Sequence, residues 1–116
     1  MKTRFNIKHK EVLDTFLLEI SVVNEGKMYG HPAYYVGGKL FASLFDDGVC
    51  IKVPISLKEK LLKKNHITSF EPMGRKMKEW ILINRENSED YIKDKEIFKK
   101  SIEYVASIPG INFKKK

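Results

Sequence analysis

The chain has 116 residues, 42% of them hydrophobic and 32% charged, and a formal net charge of +7. This length fits one compact domain, 1–116, that can bury a core without metal or disulfide staples. The single cysteine, Cys50, excludes an internal disulfide, and the sequence has neither a signal-peptide pattern nor an apolar run long enough to cross a bilayer. We therefore expect a cytoplasmic protein that makes no membrane contact.

The surplus positive charge lies at the two ends of the sequence. Residues 1–10 hold four basic and no acidic side chains, and residues 114–116 are three lysines. Between these stretches the basic and acidic residues cancel. The basic ends, about 1–7 and 113–116, predict only weak, salt-sensitive and non-specific attraction to nucleic acid. The simpler interpretation is that they keep the protein in solution.

The first predicted element is an amphipathic helix over about residues 8–23, because apolar residues recur there at helical spacing with charges between them. Asn24 and Gly26 are predicted to end it. The next run, KMYGHPAYYV, is rich in aromatic residues but is interrupted by Gly30 and Pro32. That interruption favours a bent strand or an edge strand.

Two hairpins are predicted next. Gly37 and Gly38 separate two strand-like runs and predict a two-residue turn into the strand KLFASLF. The triplet DDG, which ends at Gly48, predicts a second tight turn into the strand VCIKV. Asp46 and Asp47 are therefore interpreted as turn residues, although two adjacent carboxylates could also serve acid–base catalysis.

A short helix is predicted after the second hairpin. Pro54 closes the preceding strand, and Ser56 with Glu59 has the spacing of a capping box. The helix is expected to run to about Lys64. The segment KEWILIN then predicts another strand, because aromatic and β-branched residues dominate it.

The last predicted element is a helix that starts at the SED triplet, which supplies an N-cap at Ser88 and two acids for the positive helix end. It is expected to end near Ser107, where Pro109 and Gly110 follow. The element order α-β-β-β-α-β-α predicts an α+β domain with helices packed on a small antiparallel sheet.

The predicted strands are apolar on both faces, so both faces should be covered, by helices or by a second subunit. The last helix has a wide apolar stripe, because Ile97, Tyr104 and Ile108 are displaced around it from the main apolar face. Surplus apolar surface of this kind predicts a homodimer.

The sequence offers no assembled catalytic or metal-binding set. His9, His31 and His66 are scattered, so neither they nor the lone cysteine have the spacing of a zinc site. Cys50 lies between apolar residues and is interpreted as a buried, inert thiol. His31 is the best single general-base candidate, but without a visible partner a structural histidine is the simpler interpretation.

The stretch SFEPMGRKMKEW places a flexible glycine and an arginine between apolar anchors. Gly74 suits a tight turn with positive φ, and Phe70, Met77 and Trp80 anchor its flanks. Arg75 is then held near the start of a strand. It is interpreted either as a structural arginine that pairs with a carboxylate or caps backbone carbonyls, or as an anion-contacting residue on a rigid mount.

Two stretches together resemble the N-terminal domains of the TfoX family. The first, MYGHPAYYVGGKLFASLFDDGVCIKVP, has a glycine turn, an aromatic strand, a hairpin strand, an acidic-glycine turn and a lysine-bearing strand. The second, FEPMGRKMKEW, leads from a phenylalanine through a glycine loop to a Met-x-x-aromatic strand. With the first and last helices, the resemblance covers nearly the whole chain. Its motif residues are Gly30, Gly37, Gly38, Phe41, Ala42, Gly48, Phe70, Gly74 and Met77.

The resemblance implies an α+β fold similar to YjbR-like domains, in a family named after a regulator of bacterial competence genes. It brings no catalytic residues, metal or cofactor, and none is expected. We predict a non-enzymatic, cytoplasmic binding or regulatory module, linked to transcription or competence, whose partner is another protein or a second copy of itself. The alternative is a small-ligand or anion-binding domain. Its candidate residues are Arg75, His31, Tyr34, Tyr35 and Trp80.

Overall fold

A computed structural model describes residues 5–108, which form an α+β fold, as predicted. Within that range, helices and strands follow in the predicted order, with two strands more than expected. The helices are α1 (Ile7–Leu17), α2 (Ile55–Leu61) and α3 (Lys95–Ser107). The strands are β1 (Val23–Met28), β2 (His31–Val36), β3 (Lys39–Phe45), β4 (Gly48–Lys52), β5 (Ile67–Ser69) and β6 (Trp80–Ile83). Two 3-10 segments cover Pro72–Gly74 and Ser88–Asp94.

The six strands form one antiparallel sheet in the order β1-β2-β3-β4-β6-β5. Ala42 of β3 pairs with Ile51 of β4, which pairs with Ile81 of β6, and all three are buried. Because side chains alternate along a strand, this register assigns alternate residues to two distinct faces. The helix-covered face packs against α1, α3 and the Ser88–Asp94 segment through the main core.

The opposite face of the sheet, called here the second face, has small residues at its centre. Ser43 pairs with Cys50, and both are buried. Aromatic side chains shield this face, among them Phe45 and Phe70, whose ring centroids lie 5.2 Å apart. The expectation of covering helices is met for the helix-covered face, and a second subunit on the other face stays a prediction. On α3, the displaced Ile97 and Tyr104 pack against the chain's own core.

The first helix is shorter than predicted, because it ends at Leu17 and not near residue 23. Val23 instead begins β1, where it pairs with Val36 and is buried in the core. Gly26 lies inside β1 rather than ending a helix, and a Cβ there would come within 2.9 Å of the Tyr35 ring. Burial against a neighbouring strand thus overrides the helical periodicity.

The prediction of a bent or edge strand over KMYGHPAYYV was wrong. Tyr29 and Gly30, with φ of 52° and 82°, form a tight turn that joins β1 to β2. β2 is an internal strand between β1 and β3, and β1 is the edge strand. Pro32 is tolerated because it is the second residue of β2, close to the strand end.

Both later hairpins are confirmed, but Gly48 has a different role from the one predicted. Gly37 and Gly38 have φ of 58° and 77°, which suits a two-residue turn. In the DDG turn the positive φ, 52°, falls on Asp46. Gly48 is the first residue of β4, where a Cβ would lie 2.7 Å from Asn84 Oδ1. Lack of space, not backbone conformation, requires glycine there.

The predicted capping box is absent: Pro54 is the N-cap of α2, no side chain caps it, and the helix ends at Leu61. The SED triplet begins the 3-10 segment rather than α3, which starts at Lys95. The predicted end of α3 at Ser107 is confirmed. Pro109, Gly110 and most of the basic ends (1–4 and 113–116) lie outside the described residues. Of the helices described, none has the length and apolar character needed to cross a membrane.

Candidate functional site

The loop between β5 and β6, residues 70–79, presents the most distinctive surface of the molecule. Its Pro72–Gly74 turn contains Met73 and Gly74 at φ of 54° and 78°, so the positive φ predicted for Gly74 is confirmed. The Arg75 amide closes the turn by donating to Pro72 O at 3.0 Å. The Met73 side chain at the tip is fully exposed.

Hydrogen bonds hold this loop against its neighbours. The Phe70 amide donates to Trp80 O, and the Met77 amide donates to Phe70 O, both at 3.3 Å. From α2, Lys58 Nζ donates to Met77 O at 3.1 Å and to Lys78 O at 3.0 Å. The loop is therefore fixed to the helix that precedes it, and its position relative to the sheet is defined.

An open cleft of about 380 Å³, called here the basic cleft, lies where this loop meets β4 and α2. Its lining consists of Lys52, Lys76, Lys78 and Glu79 together with the apolar Ile55, Met77 and Trp80. The lining thus combines three cationic side chains with three apolar ones, one of which is an indole ring. Sites that bind a small molecule commonly combine an apolar lining with a few placed polar groups.

The one acidic residue in that lining is already engaged. Glu79 lies 3.5 Å from Lys52 Nζ and accepts a hydrogen bond from the phenol of Tyr104. That hydrogen bond raises the pKa of Tyr104 and keeps the phenol protonated. Within residues 5–108, neither Lys76 nor Lys78 forms an ion pair. The positive charges of these two lysines remain available to a ligand.

Trp80 is half-buried and forms one end of a row of aromatic side chains on the second face. Its ring centroid lies 6.4 Å from that of Phe70, which lies 5.2 Å from that of Phe45, and Phe45 in turn contacts His31 at 5.5 Å. Lys52 Nζ lies over the indole, 6.0 Å from its centroid, at the distance of a weak cation–π interaction. The row gives the Trp80 ring a fixed orientation at the cleft.

The five candidates named from the sequence do not form a single pocket. Only Trp80 lines the basic cleft. His31 is buried against Phe45 on the second face, and Tyr35 on the same face donates its hydroxyl to Lys27 O at 3.0 Å. Tyr34 lies on the helix-covered face, fully buried in the core. Adjacent residues of a strand point to opposite faces, so two neighbouring tyrosines cannot both line one pocket.

Arg75 is exposed at the edge of the loop, directly before the cleft-lining Lys76. Within the described part of the chain its guanidinium has no ion-pair or hydrogen-bond partner, so the interpretation as a structural arginine finds no support there. Its position on a fixed loop matches the alternative interpretation, a residue that can contact an anion.

The lysines of the cleft are not evident from the net charge of residues 11–113, which is zero. Residues 52–80 hold eight basic and three acidic side chains, a net charge of +5. The other positions of 11–113 hold seven basic and twelve acidic side chains and offset it. A count over shorter windows would have shown that the body of the domain is polarised and that basic character is not confined to its ends.

A second cluster of ionisable groups lies beneath the helices and is structural. Asp94, almost fully buried, accepts hydrogen bonds from Arg85 Nε at 3.1 Å and Nη2 at 2.7 Å. The Tyr91 hydroxyl donates to Ile83 O at 3.1 Å and lies 3.5 Å from His9 Nδ1. The groups of this cluster fasten the Ser88–Asp94 segment to the sheet.

The thiol of Cys50 donates to Ser43 O at 3.3 Å, and burial raises its pKa to about 12. The predicted burial of this thiol is confirmed, and the raised pKa disfavours the thiolate, which is the reactive species. In residues 5–108 no group of three or more histidine, cysteine or acidic side chains is placed to hold a metal ion.

The fold and the cleft together define a small α+β domain with one polarised, basic and aromatic surface. Comparison of the chain with protein-family models, curated proteins and solved structures finds no match. The resemblance to TfoX N-terminal domains therefore stays a prediction from the sequence motifs.

Proposed function

We propose that the protein is a non-enzymatic binding module whose basic cleft takes an anionic ligand with a flat or apolar portion. The observation that carries the proposal is the pairing of two unneutralised lysines, Lys76 and Lys78, with the half-buried indole of Trp80 in one open cleft. The lysines would attract the anionic group, and the indole with its apolar neighbours would contact the uncharged portion.

The cleft geometry favours binding over catalysis. Its lysines are donors without an adjacent nucleophile or general base, and its one carboxylate, Glu79, is held by Lys52 and Tyr104. A cleft of about 380 Å³ is at the small end of the range for ligand sites, large enough for a single nucleotide-sized molecule.

Adenosine 5′-monophosphate is a suitable first probe because it joins a phosphate to a flat ring. In an amide chemical-shift titration, we expect shifts at Lys52, Ile55 and residues 76–80, with smaller shifts for inorganic phosphate or adenosine alone. The variant Lys76→Gln/Lys78→Gln should abolish most of the response. The matched control Lys27→Gln/Lys95→Gln removes two exposed charges outside the cleft and should leave it unchanged. Absence of shifts at millimolar probe would refute the proposal.

A second candidate function is the one implied by the resemblance to TfoX N-terminal domains: a cytoplasmic regulatory module with a protein partner. The observation that favours it is the second face, where Tyr35, Leu40 and Leu82 remain partly exposed. A second copy of the chain is the proposed occupant, because two-fold pairing is the commonest way to cover such a face. Sedimentation equilibrium tests it: Leu40→Glu should shift a dimer to monomer, and a wild-type monomer would exclude self-association.

A further inference from the structure

We infer that the ligand of the basic cleft is a single-stranded nucleic acid; this inference rests on the proposed function of the cleft. A mononucleotide would engage only the cleft itself. Further basic side chains lie on the helix and loop next to the cleft, so the surface suits a ligand with more than one phosphate.

The positive charge continues from the cleft along α2 and the loop. Lys60, Lys63 and Lys64 on or just after α2 are exposed, as is Arg75 on the loop. Helix and loop are neighbours, because Lys58 Nζ binds two carbonyls of the loop and Ile55 lines the cleft. With a net charge of +5 over residues 52–80, this helix and loop favour contact with a chain of phosphates.

The aromatic component favours a single strand over a duplex. Trp80 lies near two neighbours at the cleft: its ring centroid is 6.4 Å from that of Phe70, and Nζ of its cross-strand neighbour Lys52 is 6.0 Å from the indole centroid. An indole beside phosphate-binding lysines can stack on an unpaired base of any identity, whereas a duplex hides the faces of its bases. The cleft is open to solvent, so a strand can enter and leave it along its length.

This location differs from the one expected from the sequence, which assigned nucleic-acid contact to the basic ends. If the ends alone made the contact, removing Trp80 or the lysines of the cleft would not weaken binding. A membrane would also be attracted by exposed lysines, and the fully exposed Met73 at the loop tip could enter a lipid surface. The test therefore distinguishes binding of a single strand at the cleft from binding through the basic ends and from binding to a lipid surface.

Trp80 is the only tryptophan in the chain, so intrinsic fluorescence reports on the cleft directly. The probe is an oligothymidylate of about 12 nucleotides, long enough to span one single-strand site. We expect it to quench the Trp80 emission and to bind more tightly than adenosine 5′-monophosphate or a duplex of equal length. The affinity should fall with salt, with a log–log slope of about −0.7 for each phosphate contact.

The variant Lys76→Gln/Lys78→Gln should weaken oligothymidylate binding about 25-fold at about 0.1 M salt and reduce the salt slope by about 1.4. Both side chains are exposed, so the fold should be unaffected. The control Lys27→Gln/Lys95→Gln should change neither quantity. Trp80→Leu should weaken binding of a fluorescein-labelled oligomer about 5- to 150-fold, and Trp80→Phe should retain most of the affinity.

The remaining outcomes separate this inference from the proposed function. If the mononucleotide and the oligomer bind equally well, the cleft binds anions but the inference falls. If the oligomer binds without quenching Trp80 and without dependence on Lys76 and Lys78, contact is through the ends and the inference falls. Binding to vesicles of phosphatidylserine with no oligomer binding would overturn it in favour of a lipid surface. If no probe binds at the cleft, both the inference and the proposed function fail.

Discussion

The phenol of Tyr34 donates a hydrogen bond of 2.6 Å to Asp14 of α1 and fastens the first helix to strand β2 of the sheet. Burial first, and this hydrogen bond second, raise the pKa of Tyr34, so the phenol stays protonated and remains a donor. Asp14 is also paired with Lys10 at 2.6 Å. A buried hydroxyl bonded to a carboxylate thus supplies a specific contact between α1 and β2.

We expect Tyr34→Phe to lower the free energy of unfolding by about 1.5 kcal/mol, because a hydrogen bond to a charged group is lost from a buried site. The neighbouring Tyr35→Phe is the matched control. Its hydroxyl bonds to Lys27 O at 3.0 Å in an exposed position, so its loss should cost about 0.5 kcal/mol or less. Urea denaturation of both variants checks the difference, and equal losses would contradict the assignment of the two tyrosines to opposite faces.

Gly48→Ala should destabilise the domain by about 2 kcal/mol, because the added methyl group would overpack the β4–β6 ladder. The new Cβ would meet Ile83 O at 3.0 Å and Asn84 Oδ1 at 2.7 Å, and the backbone oxygen has little room to move. Gly26→Ala is the control, because there the nearest atoms belong to the side chain of Tyr35. Thermal unfolding should show the larger loss for Gly48→Ala; the reverse order would refute the packing argument.

The fold class could be predicted because turn-forming residues and strand-like runs can each be recognised within a few residues of sequence. The Gly37–Gly38 turn and the strand at Trp80–Ile83 were found from a few residues each. The boundary between α1 and β1 could not be found this way. Val23 fits the helical period, but pairing with Val36 places it in the sheet. β5, only three residues long, has no pattern strong enough to be detected without its neighbour β6.

The candidate site was only partly predictable, for a related reason. Trp80 and the loop that holds Arg75 stood out by residue type alone. Tyr34 was wrongly grouped with them, because its face depends on the sheet register. The role of Lys52 depends on pairing with Trp80 across two strands that are separated in sequence by a helix, a strand and a loop. Such long-range pairing leaves no local signal, although the charge of residues 52–80 pointed to the region.

Asp94→Ala should lower the free energy of unfolding by about 3 kcal/mol, because it leaves the guanidinium of Arg85 without its buried partner. The hydrogen bonds that Arg85 donates to Asp94 raise the pKa of Arg85. A guanidinium stays charged without them, so the variant retains the positive charge. Asp90→Ala is the control: its ion pair with Lys93 at 3.4 Å is exposed and should contribute about 0.5 kcal/mol at most. Chemical denaturation measures the free energy of unfolding of both variants. Similar losses in the two would contradict the prediction.

His9 should make stability depend on pH. Burial lowers its pKa below the ordinary value of 6.5, so the unfolded chain takes up the proton more readily than the folded one. The stability that neutral His9 gives is fully present above about pH 6.5 and is lost as the pH falls through the lower folded-state pKa. We expect the stability gap between wild type and His9→Gln to narrow between about pH 7.5 and pH 5. Urea denaturation across that range is the measurement, and a constant or widening gap would be evidence against this effect.

Lys58 joins α2 to the loop of the basic cleft. Lys58→Met keeps the aliphatic stem and removes the ammonium group that donates to Met77 O and Lys78 O. Because both carbonyls lie near solvent, water can replace the donor, and we expect a loss of only about 1 kcal/mol, confined to local opening of the loop.

Amide hydrogen exchange can detect this local opening. The amide of Met77, bonded to Phe70 O, and that of Trp80, bonded to Met77 O, should exchange about five-fold faster in Lys58→Met. Core amides such as that of Ile51 should be unaffected. Lys60→Met, an exposed lysine on the same helix, is the control and should leave the loop unchanged. Unchanged exchange at Met77 and Trp80 in Lys58→Met would show that the backbone hydrogen bonds of the loop hold it without Lys58.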